Sequence, residues 1–192
     1  RFEFDYNQIL SGGNLQTNLT FDTTFENQNA EKWLKEGSLI NTYNKNINEK
    51  FNIKFSSALE TSKNYIQQIN PNNDLSYASS LHTSLNIYGY NFNQVDDKLR
   101  INLTNYQSNQ NGEDNKTLPT ILPYIQFYTG DKYINSFEYS NNFEFYNIMR
   151  NSPTEVHAKN QRKISSLVNI NKEIIKYFSK INFETNIYNQ YF

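Results

Sequence analysis

Few residues of the 192-residue chain have scope for chemistry. His82 and His157 are its two histidines, far apart in sequence, with no cysteine anywhere and no carboxylate at a ligand-like spacing. Zinc binding or hydrolysis needs several such groups to converge, so both read as residues of a wet strand face or a loop. Asp96–Asp97 resembles a carboxylate pair, but it sits in NQVDDK, where Asp is favoured for turn geometry. Glu113 and Asp114 fall in SNQNGEDNK, a loop whose acids could hold a divalent ion. Lys159, Arg162 and Lys163 could pair with phosphate through charge-assisted hydrogen bonds, or could be the solvated end of a strand or loop. No glycine-rich phosphate loop, nucleophile elbow or paired-carboxylate site appears. The chain does not read as an enzyme, and no catalytic, cofactor-binding or metal-ligating residue is assigned.

The elements that carry these residues are strands. In NLQTNLTFDTTFEN, Leu15, Thr17, Leu19, Phe21, Thr23 and Phe25 fall on one side, and Asn14, Gln16, Asn18, Thr20, Asp22, Thr24 and Glu26 on the other. Strand side chains alternate between faces, so this is a ribbon with one apolar and one wet side. The pattern recurs at Phe2–Tyr6, Phe51–Leu59, Leu81–Ile87 and Leu99–Leu103. It returns at Ile121, Ile125 and Phe127, at Phe137–Phe145, at Ile164–Ile170, and in a last run from Ile174 to Gln190. With a weaker candidate at Ser38–Asn46, about ten strands are expected. The one helix-like spell, NAEKWLKEG with Gly37 as a stop, is short. Pro119 and Pro123 cannot donate to a ladder and mark where a strand starts or frays.

Composition narrows the setting. A formal net charge of -1 gives no field to attract nucleic acid or an acidic surface. Hydrophobic residues are 36% of the chain, yet 15 Tyr and 14 Phe bring aromatics to 16%, too many for a solvated coil. The Asn-rich bias is what an AT-rich genome produces and carries no chemistry. There is no disulfide framework, and no apolar run approaches the roughly 20 residues of a spanning helix.

Alternation alone suits a soluble sandwich as well as a membrane barrel. Three features favour the barrel. Asn14–Glu26 and Ile174–Gln190 alternate for about 12 residues or more, enough at a tilt near 40° to cover roughly 30 Å, the thickness of a bilayer core. Connections alternate short (Ser11–Gly13, Ile47–Glu49, Gln94–Asp97, Gly130–Tyr133, Asn171–Glu173) and long (Asn27–Gly37, Thr61–Ser79, Ser108–Thr117, Ile148–Glu155). Outer-membrane barrels sort their loops in this way, whereas a Greek-key sandwich has no reason to. Aromatics near strand ends (Tyr6, Tyr43, Tyr88, Tyr90, Phe92, Tyr106, Tyr128, Tyr146, Tyr188) suit the headgroup level. Lys54, Lys98, Arg100, Glu138, Glu144, Lys180 and Glu184 all alternate with the apolar set and so face inward. The expectation is an all-β, antiparallel up-and-down transmembrane β-barrel segment spanning residues 1–192, integral to the outer membrane of a Gram-negative cell. The sequons at Asn18, Asn102 and Asn115 carry no meaning there.

The run TLPTILPYIQFY, a following strand pair in INSFEYSNNFEFYN, TEVHAKNQRKISSLVNI and INFETNIYNQY resemble the barrel of the LPS-assembly outer-membrane protein family, LptD or OstA. Upstream, NEKFNIKFSSALETSKNYIQQI and LHTSLNIYGYNFNQV fit its middle strands in order and spacing. The resemblance implies a barrel of about 26 strands, of which this chain supplies under half. It implies translocation of lipopolysaccharide into the outer leaflet, a lipoprotein plug in the lumen and periplasmic LPS-transport components as partners. The remaining strands of the barrel and membrane lipid would be its other neighbours; neither nucleic acid nor a cofactor is implied. Lys159, Arg162 and Lys163, or ions held by Glu113 and Asp114, could then meet LPS phosphates, the solvated-loop reading of each staying open. The cysteines that form disulfides in some members are missing here. The alternatives are a general porin or nutrient-uptake barrel and, less favoured, a soluble β-rich adhesin or binding module.

Overall fold

The computed structural model describes residues 1–26, 32–110, 114–135, 137–176 and 179–191. Ten strands form one sheet: β1 (Phe2–Leu10), β2 (Gly13–Glu26), β3 (Lys32–Asn46), β4 (Phe51–Glu60), β5 (Ser80–Tyr90), β6 (Lys98–Ser108), β7 (Thr120–Ile134), β8 (Phe137–Met149), β9 (Asn160–Lys176) and β10 (Ser179–Tyr191). Each pairs antiparallel with its neighbour in sequence, so the sheet is an up-and-down meander. Among the described residues no pairing joins β1 to β10, and the sheet is open rather than closed into a barrel. Among the described residues helix is confined to one short α1 (Tyr65–Ile69) and two 3₁₀ turns, all in the connections.

The strands are long, and the period-2 pattern runs through most of their length. β3 and β7 have 15 residues each and β9 has 17, against a usual length of about 5–6. β3 begins earlier than expected. The KWLKEG half of the helix-like spell pairs residue by residue with β2, from Glu26 opposite Lys32 to Phe21 opposite Gly37. Helix propensity there is overridden by a partner strand already in place. The rest of that spell, at residues 29–31, lies outside the described residues. The turn expected at Asn171–Glu173 is strand as well: Asn171 lies opposite Glu138, and Glu173 opposite Asn182. Three polar residues in a row resemble a turn, but here they belong to a ladder. Gly130–Tyr133 is likewise part of β7.

β7 carries two register shifts. One falls between Ile121 and Tyr124 and the other between Thr129 and Lys132. Pro123 sits at the first, where a residue without an N–H breaks the ladder least. It therefore lies inside the strand, while Pro119 immediately precedes it. The extra residue reverses the alternation, so Ile121 lies opposite Thr104 and Ile148 and does not share a face with Ile125.

No second layer covers the sheet among the described residues. The buried apolar cluster is small, formed by Ala58, Ile66 and Leu81 with Ile40, Leu75 and Ala78 against it. It sits where connection 61–79 folds over one end.

Candidate functional site

The register divides the sheet into two faces. On one, Phe4, Leu19, Leu39 and Leu59 stand in a row across β1–β4. Ile53, Ile87, Ile101, Ile125, Phe145 and Ile164 form another across β4–β9. These side chains meet no protein layer: Phe2 is 57% exposed, Phe4 46%, Phe21 43% and Leu59 39%. Gly89 lies in this face beneath the Phe51 ring, which occupies the space a Cβ would need. Phe51, Phe92 and Phe127 then run on as an aromatic chain, with ring centroids 5.9 and 5.8 Å apart. The described charges on this face are Lys35, Lys45, Lys132, Arg162 and Lys172, each toward an end of its strand. The middle of the face is uncharged among the described side chains.

The opposite face is polar, and its side chains bond one another across strands. Thr20 and Ser38 hydroxyls meet at 2.6 Å, Ser56 and Ser84 at 2.9 Å, and Asn102 donates to Asn86 at 2.8 Å. Asn18 donates to the Asp5 carboxylate. Lys54, Lys98, Arg100, Glu138 and Glu144 stand on this face, as the alternation requires. Lys180 and Glu184 belong to β10, whose side chains lie outside the described residues.

The expected aromatic belt divides in two. Tyr6 and Tyr43 share the apolar face, and Phe92 joins its aromatic chain. Tyr88, Tyr90, Tyr106, Tyr128 and Tyr146 stand instead on the polar face, opposite Arg100, Lys98, His82, Asn142 and Lys163 respectively. Even spacing from a strand end says nothing about which way a ring points. Parity does.

The other expected sites separate. His82 is an exposed strand residue beside the Tyr106 ring, 6.4 Å between centroids. His157 closes a turn with Thr154, each backbone N–H bonded within it. Asp97 does more than shape its turn: it is fully buried and accepts from the amides of Gln94 and Gly130, both at 3.0 Å. Asp96 adopts a positive φ of 64° in the same turn. Asp114 accepts from the Lys116 amide at 2.9 Å and starts a 3₁₀ turn, while Glu113 lies outside the described residues. Arg162 and Lys163 point to opposite faces, Arg162 bonding Asn147 and Lys163 lying over Tyr146. Lys159, Arg162 and Lys163 therefore do not make one basic patch.

Sequence reasoning missed two arrangements. Glu60, at the end of β4, turns its carboxylate onto the amides of Asn64 (3.1 Å) and Ile66 (3.2 Å), holding connection 61–79 against the sheet. Asn109 fastens the same connection from the other side, accepting from the Asn64 amide at 2.8 Å and donating to the Ala78 carbonyl at 3.1 Å. The second is the set of cations over tyrosine rings on the polar face. Lys54 and Arg100 both lie over Tyr88, Arg100 also over Tyr124, and Lys98 over Tyr128, at 5.7–5.9 Å.

No family model, curated protein or solved structure matches the chain. The site therefore stands on its own geometry: a long-stranded wall, apolar on one side and polar on the other.

Proposed function

We propose that the chain is part of the wall of a transmembrane β-barrel in a Gram-negative outer membrane, and that this barrel translocates lipopolysaccharide and inserts it into the outer leaflet. One observation carries the wall: an apolar face that runs across the sheet with no protein layer over it and, among the described side chains, no charge in its middle. A soluble domain buries such a face against a second layer, and large exposed apolar patches mark membrane or partner contact. In lipid the same face needs no cover. Strands of 13 to 17 residues such as β8 and β9 exceed the roughly 9–11 that span a bilayer core. The cations at strand ends suit headgroup phosphates.

A bilayer leaves no backbone group unpaired without a cost of several kcal/mol, so the open edges at β1 and β10 require strands from the rest of the barrel. Connections 61–79, 109–119 and 150–159 share one end of the sheet and 47–50 and 91–97 the other; the first set would face the exterior. The cargo reading rests on the resemblance of TLPTILPYIQFY and the segments after it to the LPS-assembly family, and the lipoprotein plug and periplasmic components follow from it. The mechanism is conductive: a polar lumen takes the saccharide while acyl chains reach the bilayer.

Depleting the parent protein in its own cells, then comparing surface with total lipopolysaccharide, tests the cargo. Surface lipopolysaccharide falling while the total persists supports assembly; an unchanged surface level sinks it and turns attention to solute uptake. The wall has its own test. Ile101→Lys places a charge mid-face and is expected to cost about 2–4 kcal/mol of barrel stability, whereas Asn102→Lys, next along the strand and inward, costs little. Equal effects in a detergent-refolding titration would remove the two-faced wall.

A further inference from the structure

We infer that the polar face across β4–β9 is a binding track for an anionic saccharide, with tyrosine rings supporting the sugar and the cations above them taking its acidic groups. The inference deepens the barrel reading and rests on it, because it assigns part of the lumen wall.

Three adjacent rungs of the ladder build the track. The first runs Lys54, Asn86, Asn102, Tyr124, Tyr146, Lys163 from β4 to β9. Two residues along, the second brings Tyr88, Arg100, Gln126 and Glu144 into line. The third places Tyr90, Lys98, Tyr128 and Asn142 side by side. Tyrosine and cation thus interleave both along and across the strands. A hollow of about 360 Å³ opens between the second and third rungs, lined by Tyr88, Tyr90, Lys98, Arg100, Gln126 and Tyr128 among others.

The cations are available. Arg100 lies over two rings, Tyr88 at 5.9 Å and Tyr124 at 5.8 Å, and its side chain is exposed. Lys54 and Lys98 are exposed as well, and among the described residues none of these three, nor Lys163, forms an ion pair. Glu144, the acid on these rungs, is engaged by the Tyr124 hydroxyl at 3.4 Å and the Gln126 amide at 3.3 Å. The surplus on the track is positive although the whole chain carries -1.

A ring holding a cation by its face pre-positions that cation without neutralising it. Arg then offers a planar fork for phosphate or carboxylate. A pyranose has an apolar C–H face for the tyrosine and hydroxyls for Asn and Gln at the rim. A lone phosphate uses the cations and ignores the rings; a neutral sugar does the reverse. Only an acidic sugar uses both.

The test uses the full-length parent barrel in detergent, with three probes: a dextran sulfate oligosaccharide, neutral dextran of the same length, and inorganic phosphate. Binding by calorimetry is expected to be at least about tenfold tighter for the sulfated oligosaccharide than for the neutral one. Arg100→Gln and Lys98→Gln should each weaken it by about fivefold to tenfold, and Tyr88→Leu should weaken it while leaving phosphate unaffected. Lys172→Gln, on the other face, should leave it unchanged. Equal binding of charged and neutral dextran overturns the track, as does indifference to Arg100→Gln, or phosphate binding as tightly as the sulfated sugar. A parent that is soluble without detergent removes the barrel reading, whichever way the sugars bind.

Discussion

The two ends of the sheet are held by different means. At the end of the long connections, a buried apolar cluster and side-chain acceptors do the holding. Leu81 and Ile66 are essentially inaccessible, Glu60 and Asn109 bind connection 61–79, and Ser152 donates its amide to the Lys116 carbonyl at 2.9 Å to join two more connections. At the short-turn end the backbone is nearly sufficient. The Asn46 amide reaches the Gly12 carbonyl at 2.8 Å, the Tyr90 amide reaches Lys50 at 2.8 Å, and Asp97 is the one buried acid at this end among the described residues. Long loops must replace lost ladder bonds with side chains, whereas tight turns do not leave the ladder. The long end should therefore loosen independently of the short one.

That difference can be broken from either side. Leu81→Ala should have the largest effect, about 2–5 kcal/mol, because a fully buried leucine leaves a cavity. Limited proteolysis should then cut within 61–79 while the turn at 91–97 stays protected; cuts at both ends would mean a single cooperative unit. Glu60→Ala leaves the Ile66 amide without its acceptor and the Asn64 amide with Asn109 alone, for about 1–3 kcal/mol, and should expose the same connection. Asp97→Ala is the mirror experiment at the short end, of similar or slightly smaller size, read by hydrogen exchange at the Gln94 and Gly130 amides. Gly130→Ala sharpens it: a Cβ there would run into the Val95 carbonyl, so the turn must shift and the same two amides should exchange faster. Smallest is Asn73→Ala, which removes the side chain that accepts from the Leu75 amide at 2.9 Å, for about 0.5–2 kcal/mol. Its effect should stay within the 61–79 connection.

The strands could be read from the sequence because alternation is local: Leu15 to Phe25 announce a face without reference to anything else. What could not be read depends on partners. KWLKEG is strand because β2 lies beside it, and Ile121 changes face because one residue is added at Leu122–Pro123. Composition hints at neither. The tyrosines show the same limit. Tyr88, Tyr124 and Arg100 are scattered in sequence and become neighbours only through the register of β5, β6 and β7. Asp97 was recognisable as a turn residue, but its bond to Gly130 crosses to another strand.

Strict neighbour-to-neighbour pairing also governs how the sheet can be assembled. No strand waits for a distant segment before it finds its place, so growth can proceed one hairpin at a time, each new strand docking on the edge just completed. Loop closures stay short and fast in such a scheme, and slow long-range searching is avoided. The wall can lengthen in order of synthesis, growing at one edge while the edge of β1 stays free.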